Sequence, residues 1–177
     1  DAGTEGMVRS APVPAGLPAR DVRVSLPFAL SPSQEQLAKE LAATDRDVLV
    51  WAACGSGKTE VTLEAIGATV RRGGRALFAL PRRDVVDQLG ERLKAALPGV
   101  EFIALRGGTG HRHEDVPVVV ATVHQAVRFC QRFDLVIVDE VDAYPLDREP
   151  WLLAALERAM RPGGRLIMMT ATPPERL

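Results

Sequence analysis

From Leu26 onward, short apolar runs alternate with stretches in which apolar residues recur every three or four positions. The runs Val48–Ala52, Ala76–Leu80, Phe102–Leu105, Val118–Ala121, Leu135–Val138 and Leu166–Thr170 carry hardly any polar side chain, and several are β-branched. Such runs predict strands covered on both faces, as in a parallel sheet. Between them, the spacing predicts helices near 33–43, 57–72, 84–97, 123–131 and 151–161. In the third, Val85, Leu89, Leu93, Ala96 and Leu97 share one side, with Asp87, Glu91, Arg92 and Lys94 largely on the other. Arg71-Arg72-Gly73-Gly74 joins a basic last turn to a glycine stop. The alternation predicts an α/β fold, a mostly parallel sheet with helices on both faces and right-handed crossovers. Ligands of such sheets lie at the carboxyl ends of the strands.

Residues 1–24 are rich in Pro, Gly and Ala and predict a linker or N-terminal arm, leaving residues 25–177 as one domain. A length of 177 residues suits one substantial core and is tight for two. No apolar stretch approaches the roughly 20 residues that cross a bilayer, and the first ten residues lack a secretory pattern. Cys54 and Cys130 are too few for a disulfide framework. A cytoplasmic chain is the expectation. The 22 basic residues nearly balance 23 acidic ones, so any attraction for nucleic acid must be local. Only Lys39, Lys58 and Lys94 are lysines, which sets Lys58 apart inside its glycine-rich loop.

That loop is Ala52-Ala53-Cys54-Gly55-Ser56-Gly57-Lys58-Thr59, directly after a predicted strand. It departs from the common phosphate-loop pattern only where Ala52 replaces Gly. Small residues let successive amides curl around phosphate oxygens, and the following helix points its positive end at them. Lys58 reaches β- and γ-phosphates in such a loop, and the Thr59 hydroxyl holds Mg²⁺. The run FDLVIVDEVD ends a strand in carboxylates: Asp139 suits a magnesium partner and Glu140 a water-activating base. Thr170-Ala171-Thr172 is by itself a polar turn after a strand.

Taken in order, AACGSGKT, ALPRRDVVDQL, ATVHQ, DEVD and TAT resemble the first RecA-like motor domain of superfamily 2 helicases and translocases. ATVHQAVRF and DLVIVDEVDAYPL look most like the ComFA-type late-competence ATPases of DNA uptake, with PriA-type helicases next. The resemblance covers roughly Leu30 to Thr172. It implies ATP and Mg²⁺ as ligands, with Ala53, Cys54, Gly55, Ser56, Gly57, Lys58 and Thr59 on the phosphates. It makes Lys58 and Glu140 catalytic, Thr59 and Asp139 the Mg²⁺ residues, and Thr170 and Thr172 the coupling motif. Arg83, Gly107 and Thr122 align with segments that contact a nucleic-acid backbone, with Gly108 beside Gly107. Gln34 aligns with an adenine-reading glutamine, with Phe28 as a stacking neighbour. Yet Ser31-Pro32-Ser33-Gln34 also makes a capping box with Pro at the first helical position.

Single-stranded DNA, a second RecA-like domain and other DNA-uptake proteins are the partners the family implies. Its place is the cytoplasm or the inner face of the membrane. The second motor domain is absent from these 177 residues, so the piece is expected to hydrolyse ATP slowly alone. The competing function is a nucleotide-binding interaction module with little activity, and a PriA-like replication-restart helicase domain is the other alternative. Intact Lys58, Thr59, Asp139 and Glu140 favour a motor. His111 and His113, with Glu114 and Asp115, lack regular ligand spacing and read as a solvated loop. His124 reads equally as a helix residue. Arg82 and Arg83 read equally as a solvated first helical turn.

Overall fold

The computed structural model describes residues 16–107 and 115–172. Six parallel strands form one sheet in the order β1-β6-β5-β2-β4-β3. They are β1 (Val48–Trp51), β2 (Ala76–Leu80), β3 (Phe102–Leu105), β4 (Val118–Thr122), β5 (Phe133–Val138) and β6 (Met160–Thr170). The helices are α1 (Pro32–Ala43), α2 (Lys58–Arg71), α3 (Arg83–Ala96), α4 (Val123–Ala126) and α5 (Pro150–Ala159). The parallel α/β architecture read from the sequence is the one observed.

Strand alternation divides the core into two. Ala76, Phe78, Leu80, Val118 and Val120 face α1, α2 and α3. Leu77, Ala79, Val119 and Ala121 face α4 and α5. Both faces of β2 and β4 are therefore fully buried, which explains why their sequences show no polar alternation. Register holds the carboxyl ends level: Leu80 pairs with Thr122, Val138 with Met168, and Trp51 with Thr170.

Several elements differ from expectation for identifiable reasons. The helix expected over 123–131 stops at Ala126, because the chain turns there to seat Phe129 edge-on against Phe133 at 5.0 Å. β6 is longer than the apolar run Leu166–Thr170. It begins at Met160 opposite Phe133, and an irregularity then brings Arg165 opposite Leu135. The helix expected to reach 161 therefore ends at Ala159. β1 is an edge strand with one open face, so Leu49 and Trp51 are exposed although their run is wholly apolar. On α3 the buried stripe runs through Val86, Leu89 and Leu93, leaving Val85 half-buried.

The arm expected over 1–24 is no free linker in its described part. Val22 is buried in the main core, its carbonyl accepts from Arg71 Nη1 at 3.0 Å, and the Leu17 amide donates to the Gly73 carbonyl at 2.8 Å. Residues 1–15 lie outside the described residues. No described helix is long and apolar enough to cross a membrane.

Candidate functional site

β1 delivers the chain at Trp51, six residues bridge the turn, and α2 begins at Lys58. Gly57 caps α2 with φ +79°, a left-handed conformation that favours glycine. A Cβ there would lie 2.7 Å from Gln34 Nε2 and displace that side chain. The Lys58 ammonium donates to the Ala52 carbonyl at 2.6 Å and the Ala53 carbonyl at 2.9 Å, which folds it back over its own loop. Gln34 performs two tasks at once. Its Oε1 accepts from the Ser31 amide at 2.8 Å in the capping box, and its Nε2 donates to the Ser56 carbonyl at 2.8 Å. The capping reading holds, and the same side chain ties α1 to the phosphate loop.

Asp139 follows β5, its amide donating to the Ala79 carbonyl at 3.1 Å and its Oδ1 accepting from the Glu140 amide at 2.9 Å. Burial pushes its pKa above the ordinary carboxylate value, while the Glu140 amide and the charges of Lys58 and Arg92 pull it back. Glu140 is exposed and has φ +51°. For a residue with a Cβ this costs roughly 1–2 kcal/mol. The neighbours enforce it, because the Val141 amide is bound to the Met169 carbonyl at 3.1 Å. The turn thereby presents a carboxylate at the strand end.

Thr170 closes β6, fully buried, and its hydroxyl donates to the Thr172 carbonyl at 2.8 Å while accepting from the Thr172 amide at 3.0 Å. Two bonds join this turn to the end of β1 and the start of the phosphate loop: Trp51 Nε1 to Ala171 carbonyl at 3.0 Å, and Ala52 amide to Thr170 carbonyl at 3.1 Å. These strand ends border an open cleft of about 670 Å³, lined by Phe28, Gln34, Lys58, Thr59, Asp139, Glu140 and Ala171 among others. Among the described residues no three His, Cys, Asp or Glu side chains form a metal cage. The Thr59 hydroxyl and the Asp139 carboxylate are oxygen donors of the kind that Mg²⁺ takes. Thr59 and Asp139, both on the cleft, are the residues that would hold it.

A second group gathers beyond the β2, β3 and β4 ends. Gly107 has φ +93°, and a Cβ there would meet Gln125 Nε2 at 3.2 Å and Arg83 Nη2 at 3.4 Å. Arg82 is paired with Asp84 at 2.8 Å and Arg106 with Asp87 at 2.7 Å. Arg83 is exposed and has no carboxylate partner among the described residues. Thr122 is only 4% exposed, so its side chain has little surface to offer. The half-buried Gln125 stands beside Gly107 instead. Gly108, His111, His113 and Glu114 lie outside the described residues, and His124 is exposed at the start of α4. Sequence reading missed Trp51, Glu60, Arg92 and Gln125. Only Gln125 had a signal, its place in ATVHQ.

The DEAD/DEAH box helicase family profile matches residues 31–177. The chain belongs to the DEAD/DEAH box helicase family. Within this helicase family it is similar to competence protein ComFA of Bacillus subtilis (strain 168), 35% identical over 161 residues. That match covers 89% of this chain and 35% of the relative. ComFA of Streptococcus pneumoniae (strain ATCC BAA-255 / R6) is 39% identical over 149 residues, 81% of this chain and 33% of the relative. The helicase domain thus spans about a third of the curated relatives it matches. The Sulfolobus solfataricus SWI2/SNF2 ATPase core, solved in complex with dsDNA, shares the fold at a TM-score of 0.68 and 17% identity. The superposition covers 85% of this chain and 34% of that one.

Proposed function

We propose that the chain is the ATP-binding first motor domain of a nucleic-acid-stimulated ATPase that moves single-stranded DNA during competence DNA uptake. The observation that carries this reading is the gathering of Lys58, Thr59, Asp139 and Glu140 on one cleft at the carboxyl ends of parallel strands. Similarity to two ComFA proteins supports the competence role.

In this reading Lys58 exchanges its loop carbonyls for β- and γ-phosphate oxygens, and amides from Ala53 to Gly57 cradle the phosphates. Thr59 and Asp139 would hold a Mg²⁺, directly or through water, and the ion would supply neutralisation of phosphate charge. Glu140 accepts the proton of the attacking water. Phe28 stacks on the adenine and Gln34 faces its edge. Thr170 and Thr172 pass the state of the phosphate end to the rest of the motor. Arg83, Gly107 and, through its backbone, Thr122 line a track for phosphates that carries no sequence preference. Residues 25–177 form the motor unit in this account, and a second RecA-like domain of the whole protein completes the cleft and supplies an arginine. The protein works in the cytoplasm, at the inner face of the membrane with other DNA-uptake proteins.

Phosphate release by the whole protein, with and without single-stranded DNA or RNA, tests this reading. Stimulation of at least severalfold by single-stranded DNA is the expected result. Turnover indifferent to every nucleic acid would overturn it.

A further inference from the structure

Among the described residues the cleft carries more negative than positive charge: four carboxylates line it, Glu60, Asp139, Glu140 and Asp142, against two cations, Lys58 and Arg92. Asp139 and Glu140 have tasks in hydrolysis, whereas Glu60 has none and sits next to Thr59 in the first turn of α2. A carboxylate there is favourable to the helix, because it faces free amides and the positive end of the dipole. For an incoming polyphosphate it is a competitor for the same amides. Its side chain is 11% exposed, and its Oε2 would lie 3.7 Å from a Cβ at Gly57, so it borders the phosphate loop itself.

One residue from another helix answers this charge. Arg92 reaches across from α3 and donates through Nη2 to Glu60 Oε1. Its side chain is 47% exposed and lines the cleft. Its charge also acts on Asp139, where it favours the ionised carboxylate. No recognised helicase segment in the sequence includes it.

We infer that Arg92 is a positioning residue for nucleotide, neutralising Glu60 so that the first turn of α2 accepts a polyphosphate. The inference rests on the nucleotide reading of the cleft and adds a determinant of phosphate affinity to it. Arg92 acts through Glu60 and does not itself touch the nucleotide. Removing Arg92 leaves a negative charge beside the phosphates, and removing both charges restores the balance.

Titration calorimetry of the 177-residue chain with MgADP and with a slowly hydrolysed MgATP analogue tests it. Arg92→Ala is expected to weaken binding about tenfold, the scale of one uncancelled charge near a polyphosphate. The deficit shrinks as ionic strength rises. Glu60→Gln binds as well as wild type or better, and Glu60→Gln with Arg92→Ala returns to within about threefold of wild type. Thermal melts of each variant separate loss of fold from loss of charge balance. Should Arg92→Ala fail to fold, Arg92→Gln with and without Glu60→Gln makes the same comparison. Unchanged affinity in Arg92→Ala overturns the inference, and so does a double variant as weak as the single one. If the wild-type chain binds neither nucleotide, the nucleotide reading fails instead.

Discussion

The indole Nε1 of Trp51 donates to the carbonyl of Ala171 at 3.0 Å, joining the last residue before the phosphate loop to the middle of the threonine turn. Trp51 is 69% exposed, so packing contributes little to its position and the hydrogen bond fixes the ring. Trp51→Phe keeps an aromatic ring and removes the donor. The chain should lose about 0.5–1.5 kcal/mol of stability in urea unfolding, the scale of one hydrogen bond. In the whole protein, stimulation of ATPase by single-stranded DNA should fall by more than basal turnover. Equal loss of both rates would place Trp51 in stability alone.

Gln34 links two structures through opposite ends of one amide, so substitutions can separate them. Gln34→Glu preserves the capping acceptor and loses the donor to Ser56. Stability should fall by about 0.5–1.5 kcal/mol, the scale of the lost bond, while nucleotide affinity falls about tenfold because a carboxylate now borders the phosphate loop. Gln34→Ala loses the cap as well and should cost about 1 kcal/mol more. If the same amide reads adenine, both variants should also narrow the preference for ATP over GTP in competition binding.

Burial raises the pKa of Asp139, so the folded state holds its proton more tightly than the unfolded chain does. The stability contribution is complete below the ordinary value of 3.8 and is lost as pH rises through the raised folded value. Asp139→Asn mimics the neutral form. It should therefore melt higher than wild type at pH 7 without Mg²⁺, with the gap closing at acid pH. The same variant should lose the Mg²⁺-dependent part of nucleotide affinity. A variant that melts lower at pH 7 would show that the charged carboxylate stabilises the fold.

Arg83 is exposed without a carboxylate partner among the described residues, whereas Arg82 is paired with Asp84. Arg83→Ala should weaken single-stranded DNA binding by the whole protein equally across sequences. It should also lower the salt slope by about 0.7, one phosphate contact on a single strand. Arg82→Ala should do less. Anisotropy titrations at several salt concentrations measure both, and an unchanged slope in Arg83→Ala would remove it from the track.

The parallel sheet was legible because β2, β4 and β5 are buried on both faces, and such strands leave continuous apolar runs. The phosphate loop and the Asp139–Glu140 pair were legible because each is a contiguous motif beside one strand. What stayed hidden is what depends on distant segments meeting. Arg92 looked like a solvent-face residue of an amphipathic helix, and only the approach of α3 to α2 gives it Glu60. The exposure of Trp51 follows from β1 lying at the sheet edge, a matter of strand order that no local pattern encodes. The four-residue α4 was misjudged because the Phe129–Phe133 contact, and not propensity, ends it.

The proposed motor function stands on Gly55 to Thr59 binding the phosphates of a nucleotide. Titration calorimetry of MgADP and a slowly hydrolysed MgATP analogue into wild type and Lys58→Ala tests it most directly. Measurable binding to wild type is expected, with a loss of about tenfold or more in Lys58→Ala, the scale of a point charge removed from the β- and γ-phosphates. Equal affinity in the two proteins, or no binding to the wild-type chain, would contradict it.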